Sequence, residues 1–144
     1  MKFQRERFKD IYQEFPPLFA EHFHEIARDK ERIPLAPDWD SYMDLERRGR
    51  LFVFTARVPE LVGYFFADVG PGLHNRTSIM AVTDMYYLKS EYRVGMNGYR
   101  FLKAAIDTLE FDKFAIQTKR EPDVGPIFKR LGLAAVETVY TKVS

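Results

Sequence analysis

The residues of this chain best suited to chemistry lie between Asp84 and Lys103, where Asp84-Met-Tyr-Tyr-Leu runs into Lys-Ser-Glu-Tyr-Arg-Val-Gly-Met-Asn-Gly-Tyr-Arg-Phe-Leu-Lys. The apolar run ending at Leu88 reads as a strand. From Tyr99 the spacing turns helical, with Phe101, Leu102, Ala105, Ile106 and Leu109 on one face. The first amide groups of such a helix lack intrahelical acceptors, and the helix dipole adds positive potential there. Gly95 and Gly98 allow close approach to the main chain, so this junction suits a phosphate or pyrophosphate. Arg93 precedes the turn, and its fork matches phosphate oxygens. The same glycine pair also suits a plain turn.

Other chemistry-bearing residues are scattered. Leu18, Phe19, His22, Phe23 and Ile26 recur at helical spacing, which makes His22 either a core-edge histidine or, with Glu25, a wall of a substrate cleft. His22 and His24 point to different sides of a helix and have no third ligand, so a metal site is not expected. His74 and Arg76 fall in a loop before a long strand, within reach of a substrate at a cleft mouth. Lys119 ends a strand, where sheets of this kind face their ligands. Absence of cysteine excludes disulfides, thiolate metal sites and a cysteine nucleophile.

The elements that must position these residues follow from periodicity and turn chemistry. A short strand is expected over residues 1 to 6, a helix from Phe8 to Glu14, and a second helix begun by Pro16 and Pro17. After a proline-marked loop, a third helix starts from Pro37 and closes at Gly49, with Trp39, Tyr42 and Met43 on its core face. Strands Leu51 to Val58 and Leu61 to Val69 form a hairpin about Pro59-Glu60, and Ser78 to Leu88 continues the meander. A crossover helix from Gly95 to Glu110, a strand from Lys113 to Thr118, a helix from Pro122 to Arg130 and a last strand from Ala134 to Val143 complete the order. That order predicts an α/β (α+β) chain with a mixed, mainly antiparallel central sheet and helices on both faces.

At 144 residues one domain, 1 to 144, is expected, and the 46% apolar and 15% aromatic content suits an ordered core. The net charge of +1 gives no general attraction to nucleic acid. No apolar run spans a membrane and no signal peptide is visible, so a cytoplasmic protein is expected.

The text from Tyr87 to Gly98, Tyr-Leu-Lys-Ser-Glu-Tyr-Arg-Val-Gly-Met-Asn-Gly, resembles the acetyl-coenzyme A motif of the GCN5-related N-acetyltransferases, the GNAT family. Arg93 and Gly98 fall at that family's Arg and last Gly, whereas Met96 stands at its usual first glycine, with Gly95 one place earlier. This spacing is similar to the variant in phage and prophage acetyltransferases. The element order resembles the GNAT fold along nearly the whole chain, and Phe128-Lys-Arg-Leu-Gly-Leu133 stands where the family has Tyr-Glu-Lys-Leu-Gly-Phe.

The resemblance implies direct transfer of acetyl from acetyl-coenzyme A to an amine. It places the cofactor on Tyr87, Leu88, Arg93, Val94, Gly95, Met96, Asn97, Gly98 and Tyr99, and gives Asp84 the role of base toward the amine. The family's tyrosine, which protonates the departing thiolate, is replaced by Phe128; Tyr140 or Tyr87 stand as substitutes, or water. His22, Glu25, His74, Arg76 and Lys119 are the expected substrate contacts. A second expectation arises from Phe128 and Met96: a catalytically weak or inactive phage protein on this scaffold, acting in the host or in the virion through a protein partner. Monomer and homodimer are both open, as is the identity of the amine.

Overall fold

A computed structural model describes residues 1–144. In chain order the elements are β1 (Lys2–Arg5), α1 (Phe8–Ile11), α2 (Phe15–Ile26), α3 (Trp39–Arg47), β2 (Leu51–Val58), β3 (Glu60–Pro71), β4 (Ile79–Leu88), α4 (Asn97–Thr108), β5 (Lys113–Ala115) and α5 (Gly125–Arg130). Single 3-10 turns, Tyr12–Glu14 and Ser90–Tyr92, link α1 to α2 and β4 toward α4. The prolines act as anticipated: Pro16 and Pro17 occupy the first turn of α2, where a missing amide costs nothing. Asp38 caps α3 by accepting from the Ser41 amide at 3.0 Å, and Gly49, at φ +71°, ends the helix region in the left-handed conformation.

The strands form one sheet in the order β1-β2-β3-β4-β5, antiparallel except for the parallel β4–β5 pair. Two apolar cores lie on its two faces. On one, Phe101, Leu102 and Ala105 of α4, Leu109 just after it and Phe128 of α5 cover Phe52, Phe54, Phe65 and Ala67. On the other, Phe8, Ile11, Phe15, Leu18 and Phe19 of α1 and α2 cover Val53, Tyr64, Phe66 and Tyr87, with Trp39 and Tyr42 of α3 at the margin. Each fully buried phenylalanine contributes roughly 1.5–3 kcal/mol by leaving water. The expected α+β architecture with helices on both faces is therefore the observed one.

Two irregularities in β4 shape the surface around the loop that leads into α4. Phe66 pairs with Met85 and Ala67 with Thr83, which leaves Asp84 as the extra residue of a β-bulge. A bulge turns two successive side chains to one side. Met85 accordingly packs with Phe66 while Asp84 reaches Tyr42, both toward α3. In addition, β5 pairs with β4 only from Met80–Lys113 to Val82–Ala115, so the two chains part before the second half of β4.

Three expectations are corrected. The fifth strand ends at Ala115 instead of Thr118, because after the Val82–Ala115 pair the chain parts from β4, where the bulge at Asp84 bends that strand. The last helix begins at Gly125 and not Pro122, since residues 119–124 form an irregular loop that includes a cis Glu121–Pro122 bond. Residues 134–143 form no strand; they are rich in β-branched and aromatic residues, yet no strand of the sheet pairs with them, and Val136, Val139 and Tyr140 are exposed.

Candidate active site

The anion site expected from the sequence falls on the loop after β4. Among the amides from Val94 to Tyr99, only that of Asn97 has a protein acceptor, the Val94 carbonyl at 3.2 Å. The amides of Val94, Gly95, Met96, Gly98 and Tyr99 donate to no protein atom, and those of Gly98 and Tyr99 belong to the first turn of the twelve-residue α4. Gly95 sits at φ +58°, which only glycine adopts at no cost, and a Cβ on Gly98 would meet nothing within 4 Å. The surface beside these amides is thus open to a ligand. Asn97 steadies the loop through Nδ2, which donates to the Tyr92 carbonyl at 3.1 Å.

Arg93 is differently placed than its sequence position suggests. Its Nη1 and Nη2 donate to the two Glu25 oxygens at 2.5 and 2.9 Å, and Nε donates to the Leu88 carbonyl at 2.6 Å. Its guanidinium also lies 5.1 Å from the Tyr87 ring centroid. The fork expected to face phosphate is therefore occupied by a carboxylate of α2. Glu25 in turn accepts from the Tyr87 hydroxyl at 2.9 Å, and the Arg93 pair holds the Glu25 carboxyl below its usual range. Arg130, by contrast, has no carboxylate partner: it stands 5.3 Å from the Tyr99 ring centroid, with Nη1 3.9 Å from the Met96 sulfur. Met96 is thereby turned toward α5.

His22 belongs to the same cluster. Its ring stacks on Tyr87 at 4.6 Å and shares a hydrogen bond with the hydroxyl of the fully buried Tyr64. Burial lowers its pKa to about 4, Glu25 opposing and Arg93 and Lys119 reinforcing the shift, so the imidazole is neutral at pH 7. Lys119 is exposed on the loop after β5, near enough to be felt by His22. Arg28, just past α2, donates to the Glu121 carbonyl at 2.8 Å and ties that loop to α2. Of the two sequence readings of His22, the contacts with Tyr64 and Tyr87 match the core-edge histidine.

On the same face of the sheet, Asp84 accepts a hydrogen bond from the Tyr42 hydroxyl at 2.7 Å. Burial, reinforced by the carboxylate, raises the Tyr42 phenol well above its ordinary pKa, so it stays protonated and orients Asp84. Asp84 itself is exposed and able to meet an incoming amine. Tyr42 was legible only as a core residue beside Trp39, because its partner lies 42 positions away.

Two groups of expected site residues are not gathered here. His74 and Arg76 occupy the exposed β3–β4 hairpin. At about 3.3 Å per residue, the start of β4 is roughly 17 Å along the strand from Asp84. Tyr140 is 90% exposed in the segment that forms no strand, and its hydroxyl makes no hydrogen bond.

The opposite face of β4 holds groups the sequence did not single out. The Tyr86 hydroxyl donates to the Gln117 carbonyl at 2.7 Å, across the gap where β4 and β5 have parted, and its ring meets Phe128 edge-on at 5.9 Å. Thr83, on this same face opposite Ala67, has a buried hydroxyl with no hydrogen-bond partner.

No protein-family model and no curated protein sequence matches the chain. Solved structures do. A ribosomal-protein-alanine N-acetyltransferase from Brucella melitensis biovar Abortus 2308 superposes with a TM-score of 0.68 at 19% identity, covering 100% of both chains. An aminoglycoside acetyltransferase from an uncultured soil metagenomic sample, solved with sisomicin, gives 0.70 at 16% identity over 99% of this chain and 95% of its own. A protein described as a transcriptional regulator from Bacillus halodurans C-125 gives 0.72 at 15% identity, over 99% of each. At these identities the likeness establishes the fold, and this chain has the GNAT-like fold of solved acetyltransferases.

Proposed function

We propose that this protein is an N-acetyltransferase that binds acetyl-coenzyme A at the β4–α4 loop and passes the acetyl group directly to an amine. The observation that carries this reading is the set of unpartnered amides at Val94, Gly95, Met96, Gly98 and Tyr99, opened by Gly98 at the start of α4. Pyrophosphate oxygens are the acceptors that such a set lacks. Arg130, at the rim and without a carboxylate partner, supplies the cation that Arg93 cannot. β4 and β5 part after the Val82–Ala115 pair, beside Asp84, and the Thr83 hydroxyl there is a buried polar atom still to satisfy.

Acetyl-coenzyme A would supply the activated acyl group as a thioester. The chain's own residues do the rest: the loop amides fix the donor, Tyr42 orients Asp84, and Asp84 takes the proton that the amine must lose. His22, Glu25 and Lys119 border the approach for the acceptor. The names of solved neighbours, an aminoglycoside and a ribosomal-protein-alanine acetyltransferase, support an amine as acceptor class.

Titration calorimetry with acetyl-coenzyme A tests the proposal. Micromolar binding is expected for the wild type, with a loss of at least ~100-fold in Gly98→Trp and about 10-fold in Arg130→Ala, as for removal of one charge-assisted contact. Absence of binding by the wild type at high micromolar donor would refute it.

A further inference from the structure

We propose that Tyr86 is a catalytic residue of this site, donating its hydroxyl hydrogen to the sulfur that leaves during acetyl transfer. The inference rests on the acyl-coenzyme A reading above and goes beyond it, because Phe128 cannot donate a proton and Tyr140 lies in solvent. Three observations point to Tyr86. It is the side chain whose hydroxyl spans the gap between β4 and the segment after β5, on the Gln117 carbonyl. It packs edge-on against Phe128, so the phenol enters from the strand beside the ring that the helix provides. Finally, the bulge at Asp84 divides the two functions between faces: Asp84 and Tyr42 lie toward α3, whereas Tyr86 and the orphaned Thr83 hydroxyl lie toward α4 and α5, whose adjoining ends carry the amide loop and Arg130.

In the transfer step, the amine lone pair forms the C–N bond at the thioester carbon, and the nitrogen proton passes to Asp84 and then to solvent. As the C–S bond breaks, its electron pair stays on sulfur, which accepts the Tyr86 hydrogen bond and later takes a proton from water. Burial pushes the Tyr86 phenol up to about 12. A cysteine thiol ionises at about 8.5 and an unactivated alkyl thiol somewhat higher, both below the phenol, so full proton transfer from it is uphill and its role is hydrogen-bond donation to developing charge. The Gln117 carbonyl is the acceptor that the phenol exchanges for sulfur.

The test needs no acceptor. Coenzyme A, carrying its free thiol, is titrated with pH while bound, and the thiolate is followed by its ultraviolet absorbance. The bound thiol is expected to ionise about one pH unit lower in the wild type than free in solution, and Tyr86→Phe is expected to abolish that difference while holding coenzyme A within about threefold of wild-type affinity. The comparison of bound with free thiol in the wild type stands even if Tyr86→Phe folds poorly. Equal ionisation of bound and free thiol, or an unchanged shift in Tyr86→Phe, overturns the role of Tyr86 and leaves the donor-binding reading intact. Failure of coenzyme A to bind the wild type overturns both.

Discussion

Arg93 and Glu25, 68 positions apart, form a two-pronged ion pair that fastens the loop after β4 to the end of α2. The arginine that the motif offers to a phosphate is spent on holding the β4–α4 loop in place. Because Tyr87 also donates to Glu25 and stacks on His22, the loop inherits its position from the helix.

This arrangement separates a clamp from a ligand. If Arg93 acts by fastening the loop, Glu25→Gln and Arg93→Met each weaken acetyl-coenzyme A binding by a similar factor, roughly 3- to 10-fold, and the double variant is no worse than either. A phosphate ligand would behave otherwise, with Glu25→Gln leaving affinity unchanged or improved. Both side chains are about one-third exposed, at 32% and 38%, so the effect of either change on stability is expected to stay within about 1 kcal/mol. Calorimetry on the three variants decides.

Asp84 and Tyr42 make a graded pair. Asp84→Asn removes the proton acceptor and is expected to lower kcat by about 10²- to 10³-fold with donor affinity unchanged. Tyr42→Phe removes only the orienting hydrogen bond at 2.7 Å and is expected to cost about 10-fold. Steady-state kinetics with an amine acceptor, alongside donor titration, tests the order; equal losses in the two variants would contradict it.

Gly63 tests how closely β3 must approach the functional end of β4. A Cβ there would lie 2.8 Å from the Tyr87 carbonyl oxygen and 2.9 Å from Leu88 Cδ1. Gly63→Ala therefore has to push β4 away, and urea unfolding is expected to show a loss of about 1–3 kcal/mol. Gly98→Ala, with open space at its Cβ, should stay within about 1 kcal/mol of wild type.

His22 makes stability depend on pH. Its folded pKa, about 4, lies below the ordinary 6.5, so between these values the unfolded chain binds a proton that the folded chain refuses. Stability therefore rises with pH through this window and is lost as pH falls from 6.5 toward 4. Glu25, whose folded pKa is depressed, adds its own loss mainly around and below its ordinary value of 4.5, so the upper part of the window, from about pH 6.5 to about 5.5, reports chiefly on His22. The urea midpoint should fall across that interval in the wild type and stay flat in His22→Gln.

Most of the framework was written locally. The apolar runs from Leu51 to Val58 and up to Leu88, the prolines opening α2, Asp38 before α3 and the glycines around the start of α4 each act through neighbours within a few residues, and such signals survive without tertiary context. The failures share one cause. Residues 134–143 have the β-branched and aromatic content of a strand, but a strand needs a partner, and pairing is not encoded in local propensity. Tyr86 looked like one aromatic among many, and Tyr42 like a core residue, because their hydroxyl partners are 31 and 42 positions distant.

By itself the sequence determined the element types and their order as far as α5, the amide-rich start of α4 and the exclusion of cysteine chemistry, since propensity, capping and composition are properties of short segments. Only the tertiary structure decided that Arg93 serves Glu25, that the bulge sends Asp84 and Tyr86 to opposite faces, and that β5 parts from β4 beside Thr83. Those outcomes depend on register and on long-range pairing of charges and hydrogen bonds, for which a linear chain carries no local signal.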